Sequence, residues 1–161
     1  MSISGLRDRQ IITSSWKQTF NWGRKVGTYL KGGDLILCQG PLGSGKTIFV
    51  KGIASSLGID PQEVDSASFL LLKVYEGREA LFHFDFFRLQ RTENIWDCDF
   101  FESLNQGIVV VEWPQLLKGF LEGYEYLEVN FKHSSPNERC LQFYPHGRRF
   151  AEILGRIRHG R

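Results

Sequence analysis

The stretch from Gly33 to Thr47 constrains this chain more than any other, because it reads in turn as a buried strand, a glycine-rich loop and the start of a helix. Leu35, Ile36, Leu37 and Cys38 form a short continuous apolar run, the pattern of a strand covered on both faces of a parallel sheet. Gly40-Pro41-Leu42-Gly43-Ser44-Gly45-Lys46-Thr47 follows at once and fits G-x-x-x-x-G-K-S/T at every position.

Such a loop must take backbone conformations closed to residues with a Cβ, and must bring its N–H groups against anionic oxygens; Gly40, Gly43 and Gly45 supply both. A helix opening at about Lys46 adds the positive end of its dipole. A polyphosphate would therefore meet backbone donors, a partial charge and the Lys46 ammonium together, with the Thr47 hydroxyl placed for Mg²⁺. The sequence thus predicts nucleotide binding.

The remaining elements fall around this unit. Ile11 to Leu30 carries a helical pattern that Thr13, Ser14 or Ser15 can cap and Lys31-Gly32-Gly33 ends. From its residues alone, Trp16 on that helix reads as core packing in preference to a cover for a base. Ile48, Phe49, Ile53, Ala54 and Leu57 repeat at helical spacing before Gly58. Phe69 to Tyr75 and Ala80 to Phe87 read as two strands of a hairpin about Glu76-Gly77-Arg78, so the sheet is expected to be mixed.

Glu93 to Leu104 reads as a helix with an aromatic side, and Ile108-Val109-Val110-Val111 as a second buried strand ended by Trp113-Pro114. Tyr126 to Phe131 and Cys140 to Tyr144, joined by a turn at Ser134 to Asn137, should extend the sheet at one edge, and Phe150 to Ile157 closes the chain as a short helix. The expectation is an α/β fold. It is a single-domain P-loop NTPase over residues 1–161, with a mixed, mostly parallel central sheet flanked by helices and carrying a β-hairpin.

Hydrolysis or phosphoryl transfer needs, besides the loop, an acid to hold the metal and a group to orient the attacking oxygen. Glu112 ends the Ile108 to Val111 strand, and ligands of open α/β sheets lie outside the carboxyl ends of strands. Asp85 is the second candidate: strand alternation in His83-Phe84-Asp85-Phe86-Phe87-Arg88 puts His83, Asp85 and Phe87 on one face. A satisfied buried His-Asp pair is the structural alternative.

Composition narrows the setting. Twenty Lys and Arg against 18 Asp and Glu give a net charge of +2, too balanced to argue for a nucleic-acid partner from bulk charge. The basic end, Arg148 to Arg161, reads as a solvated helix in preference to a contact for RNA or an acidic partner. Cys38, Cys98 and Cys140 are odd in number and widely spaced, which indicates neither a disulfide framework nor a zinc site. With no apolar leader in Met1 to Gln10 and no apolar run long enough for a membrane span, the expected location is cytoplasmic.

The combined motifs resemble the bacterial tRNA threonylcarbamoyladenosine biosynthesis ATPase family TsaE, also called YjeE. The resemblance rests on Thr19, Gly40 to Thr47, Ser66-Ala67-Ser68-Phe69, His83 to Leu89 and Glu112-Trp113-Pro114-Gln115. It implies a small Mg²⁺-dependent ATPase, weak alone and stimulated by two partner proteins, TsaB and TsaD, that carry the modification chemistry; tRNA is reached through that complex. By the same resemblance Thr47 and Glu112 hold Mg²⁺, Asp85 activates or positions water, and Lys46 neutralises the β- and γ-phosphates of ATP. Trp16 and Arg139 fall near positions that line the nucleotide.

Two departures stand out. The family's usual Ser-Pro-Thr reads Ser66-Ala67-Ser68 here, and the frequent tyrosine of its second motif is Phe87. Rival readings are a small-molecule kinase, although no lid-like insertion follows Glu112, and a nucleotide switch. No N/T-K-x-D stretch for reading guanine occurs, which leaves ATP in preference to GTP.

Overall fold

The computed structural model describes residues 9–67, 71–89, 95 and 98–160. Its framework is one seven-stranded sheet in the order β1-β7-β6-β2-β5-β4-β3. The strands are β1 (Gln10–Thr13), β2 (Leu35–Gln39), β3 (Leu72–Tyr75), β4 (Leu81–Asp85), β5 (Ile108–Glu112), β6 (Tyr126–Ser135) and β7 (Glu138–His146). β6, β2, β5 and β4 pair in parallel, while β3, β7 and β1 join by antiparallel ladders. Because β1 opposes β7 and β7 opposes β6, β1 points with the central strands, and only β3 and β7 run against the rest.

The helices are α1 (Trp16–Gly27), α2 (Lys46–Ser56), the short α3 (Phe100–Ser103) and α4 (Arg148–His159). β2 and β5 are buried throughout or nearly so, as their continuous apolar runs require. Their alternate residues divide two cores. Ile36, Cys38, Ile108 and Val110 pack with Val26, Phe49, Ile53, Phe150 and Ile153 under α1, α2 and α4. Leu35, Leu37, Val109 and Val111 pack on the other face with Phe82, Phe84, Phe86 and Phe100.

Two helices meet at backbone distance. A Cβ at Gly23 of α1 would lie 2.0 Å from the Phe49 carbonyl oxygen, and one at Gly52 of α2 would lie 2.0 Å from that of Phe20. Glycine at the crossing is what lets α1 clamp α2. At the far end of the sheet, Arg149 donates from Nε and Nη2 to the two oxygens of Asp34, each at 2.6 Å, and also reaches the Tyr29 carbonyl. This ties α4 to the loop that feeds β2.

Several boundaries differ from the sequence expectation. The segment from Ile11 is not helical: Gln10–Thr13 pairs with β7 as an edge strand, Ile11 packing inward and Ile12 outward, and the helix begins only after Ser15, whose hydroxyl caps the Gln18 N–H at 3.2 Å. β6 and β7 are longer than alternation suggested, meeting at Ser135 and Glu138. β4 ends at Asp85, so Phe87 leaves the strand face it was expected to share and is half exposed. The basic terminal helix is not simply solvated, since Phe150, Ile153 and Leu154 bury one face and Arg149 is spent on Asp34.

The hairpin of β3 and β4 is present. Of the helix expected over Glu93 to Leu104, only the end is described, and Trp96 lies outside the described residues, as do Ser68 and Phe69. Among the described residues no helix is long and apolar enough to cross a membrane.

Candidate functional site

The carboxyl ends of β2, β5 and β4 lie side by side, and each delivers a chemically active segment to the same edge. β2 runs into Gly40; in register across the sheet, Cys38 faces Glu112 and Glu112 faces Asp85. Glu112 and Asp85 point to the α2 side because their neighbours two residues back, Val110 and His83, do; Val110 belongs to the core beneath α2.

The loop from Gly40 to Thr47 is built for close approach. A Cβ at Gly40 would stand 2.4 Å from the Phe131 carbonyl oxygen. Gly43 (φ +72°) and Gly45 (φ +101°) occupy the left-handed region, and no atom of the described residues lies within 4 Å of a Cβ placed on Gly43. Gly45 is the N-cap of α2 and offers no side chain, so the first N–H groups of α2 are left without a side-chain partner. Ser44 Oγ is buried and has no hydrogen-bond partner among the described residues.

Lys46 is 5% exposed, and its ammonium donates to the carbonyls of Gly40 at 2.7 Å and Pro41 at 2.9 Å. The Trp113 ring covers it at 4.4 Å from the centroid. Trp113 itself sits in the left-handed region (φ +57°), an uncommon conformation for a bulky residue. Burial pulls the Lys46 ammonium below the ordinary lysine range, while the nearby carboxylates, Glu112 before Asp85, oppose that pull. Cys38 behaves oppositely: burial, then Glu112, pushes its thiol well above its usual value, with Lys46 partly offsetting.

The acids are held rather than loose. Glu112, 2% exposed, accepts from Thr47 Oγ1 at 2.9 Å on Oε1 and meets His83 Nε2 at 2.7 Å on Oε2. Asp85, 3% exposed, accepts from the Ser66 hydroxyl and from the Phe87 N–H, both at 2.9 Å, one on each oxygen. Each carboxylate oxygen keeps a second lone-pair direction.

Two cavities meet at Gly43. One, of about 440 Å³, is lined by Thr13, Trp16, Thr19, Gly45, Asn137 and Arg139 among others. The other, of about 250 Å³, is lined by Leu42, Lys46, Thr47, Ser66, Asp85 and Glu112 among others. Trp16 is 61% exposed, its ring edge-on to Phe20 at 6.4 Å, which corrects the core-packing reading made from its residues alone. A wet aromatic beside a cavity suits stacking on a planar ligand.

The donor set fits a triphosphate with a hard cation. Lys46 is already bonded to oxygens of its own loop, α2 has uncommitted N–H groups, and Thr47 with Glu112 offers two oxygen ligands at one point. Among the described residues no group of three or more His, Cys, Asp or Glu gathers as a metal cage. Mg²⁺ ordinarily takes one or two protein oxygens and completes its shell with phosphates and water, so this set suffices.

Residues 13–141 match the family model "Threonylcarbamoyl adenosine biosynthesis protein TsaE". The chain belongs to the TsaE family. A TsaE protein of Treponema pallidum is 40% identical over 114 residues, spanning 70% of this chain and 84% of that one. The TsaE protein of Bacillus subtilis is 35% identical over 124 residues, 76% of each. The crystal structure of Bacillus subtilis YdiB superposes with a TM-score of 0.74 at 28% identity, covering 94% of this chain and 95% of that one.

The site residues expected from the sequence of this TsaE-family chain gather at one edge. Leu42, Gly43, Lys46, Thr47, Asp85 and Glu112 line one cavity, Trp16, Gly45 and Arg139 line its neighbour, and Gly40, Pro41 and Ser44 belong to the same loop without lining either. Three contacts were not foreseen from the sequence. His83 on Glu112, Ser66 on Asp85 and Trp113 over Lys46 are all contacts between separate segments. All three were in sight as motif residues, but no spacing rule tells which group each would meet.

Proposed function

We propose that this TsaE-family chain is a Mg²⁺-dependent ATPase serving tRNA threonylcarbamoyladenosine biosynthesis, weak alone and stimulated by the partner proteins TsaB and TsaD. The observation that carries the reading is the contact of Thr47 with Glu112 at the head of α2, beside Asp85 and Lys46. It joins the loop to a strand-end acid at the one place where a phosphate-bound cation needs both.

In this reading Lys46 exchanges the Gly40 and Pro41 carbonyls for phosphate oxygens. The N–H groups of the loop and of the first turn of α2 bind the remaining phosphate oxygens. Thr47 Oγ1 and Glu112 Oε1 hold Mg²⁺, which when bound neutralises charge developing on the phosphates. Asp85, fixed through Ser66 and the Phe87 N–H, accepts a proton from water and orients it toward the phosphate end of the site. Trp16 and Arg139 receive the nucleoside in the larger cavity.

Phosphate release from ATP, measured with and without TsaB and TsaD on the parent, Lys46→Ala and Asp85→Ala, tests this. Expected is slow release by the parent, stimulation by the partners, and loss of the stimulated rate in both variants. Release that ignores the partners, or that Asp85→Ala leaves intact, contradicts it, and a phosphorylated small molecule appearing without partners points to a kinase instead.

A further inference from the structure

We infer that His83 is a positioning residue for the metal site: it holds the Glu112 carboxylate in the orientation that leaves Oε1 for the cation. This rests on the reading of Glu112 as a Mg²⁺ ligand.

His83 lies in the middle of β4, a strand whose five residues are all buried, and is itself 0% exposed. An imidazole taken out of water costs free energy unless its nitrogens are paired. Here Nε2 lies 2.7 Å from Glu112 Oε2, and Nδ1 has no partner among the described residues. A ring kept only to fill the core would be better replaced by an apolar side chain, as Phe82 and Phe84 fill the opposite face. The ring's hydrogen bonding is spent on one acceptor.

Strand pairing explains how the two meet. His83 sits opposite Val110 on β5, and Glu112 is two residues further on the same face, a diagonal neighbour within reach of long side chains. Thr47 approaches Glu112 from α2 on its other oxygen at 2.9 Å. The carboxylate is therefore fixed by two elements at once. A carboxylate only accepts, so the hydrogen bond is donated by Nε2–H. The ring engages Oε2 from β4 and leaves Oε1 on the side of Thr47, which is the division of the two oxygens that a cation at Oε1 needs.

Partners that orient metal-ligating groups commonly affect metal affinity by about 10- to 100-fold. The test uses Mn²⁺ as the probe: its affinity for the full chain with ADP bound, read from the paramagnetic resonance of free Mn²⁺, and ADP affinity in EDTA as the metal-independent control. The variants are His83→Phe, His83→Gln, whose amide N–H can occupy the place of Nε2–H, and His83→Asn, whose amide is too short.

Expected is a loss of Mn²⁺ affinity of about 10- to 100-fold in His83→Phe and His83→Asn, recovery in His83→Gln, and ADP affinity in EDTA within about twofold throughout. Equal Mn²⁺ affinity in all four proteins overturns the role. So does a failure of His83→Gln to exceed His83→Asn, or a fall of metal-free ADP affinity in step with Mn²⁺. If His83→Phe does not fold, the Gln and Asn pair decides on the same criteria. A parent protein that adds nothing to the Mn²⁺ affinity of ADP alone overturns the metal reading of Glu112 as well, whereas normal parent binding with unaffected variants overturns only the role of His83.

Discussion

Replacing Gly52 by alanine should loosen the nucleotide site from a distance, because Gly52 is where α2 lies backbone to backbone against α1. The added Cβ would stand 2.0 Å from the Phe20 carbonyl oxygen and 2.8 Å from the Arg24 nitrogen. Both are main-chain atoms, so no side chain can turn aside. Real contacts of this kind do not fall below 3.0 Å, so the helices must part by about 1 Å.

Alanine returns up to about 1 kcal/mol of helix propensity, against about 1–3 kcal/mol for overpacking a close contact. Because both clashing atoms are main-chain, the upper part of that range applies, about 2–3 kcal/mol. This leaves a net loss of about 1–2 kcal/mol, which lowers the melting midpoint of a chain this size by roughly 2–8 °C. α2 starts at Lys46, so the displaced helix carries the loop with it and nucleotide affinity should fall as well. Gly155→Ala is the control: no atom lies within 4 Å of the added Cβ on α4, and a gain of up to about 1 kcal/mol is expected. Urea unfolding and thermal scans of both variants decide it. A Gly52→Ala protein as stable as its parent, beside a stabilised Gly155→Ala, would refute the close-packing argument.

Arg149→Met should cost about 2 kcal/mol or more in urea unfolding, because Asp34, 4% exposed, loses its bidentate partner; Arg149 is itself partly exposed, which keeps the figure below that of a fully buried pair. An unchanged urea midpoint would show the pair to be energetically idle. Cys38, with its thiol pushed up by burial and by Glu112, should resist alkylation in the native protein at pH 8 and react only as fast as the chain unfolds; rapid labelling, read by mass spectrometry, contradicts that placement. Trp16→Ala should weaken ATP binding by about 1–3 kcal/mol with or without Mg²⁺, the range for losing an aromatic that stacks on a base. Fluorescence titration showing no change would remove Trp16 from the site. Because burial lowers the Lys46 ammonium, ATP affinity should begin to fall with rising pH below the ordinary lysine value of 10.5, as the site loses its charge before an exposed lysine would; affinity flat up to that pH would contradict it.

Sequence periodicity made the site's edge legible because both of its central strands are continuous apolar runs, one leading into the glycine-rich loop and the other ending in Glu112. The glycine spacing implied the loop conformation, and Gly43 and Gly45 adopt the backbone that spacing requires. β1 was hidden: four residues with one inward isoleucine carry too little pattern to separate from the helix that follows. The exposure of Trp16 could not be read from helical spacing, since a helix start projects beyond the core it leads into. The contact of His83 with Glu112 depends on β4 lying next to β5, a matter of strand order rather than of local sequence.

The account stands on Lys46 and the loop that holds it. Calorimetric titration of ATP with Mg²⁺ into the parent and into Lys46→Ala tests this most directly. Two charge-assisted bonds to phosphate, each about 1.5–3 kcal/mol, predict a loss of at least about 3 kcal/mol, or more than about 100-fold in affinity. Binding of ATP to Lys46→Ala within about threefold of the parent, at unchanged stoichiometry, would place the nucleotide somewhere other than this loop.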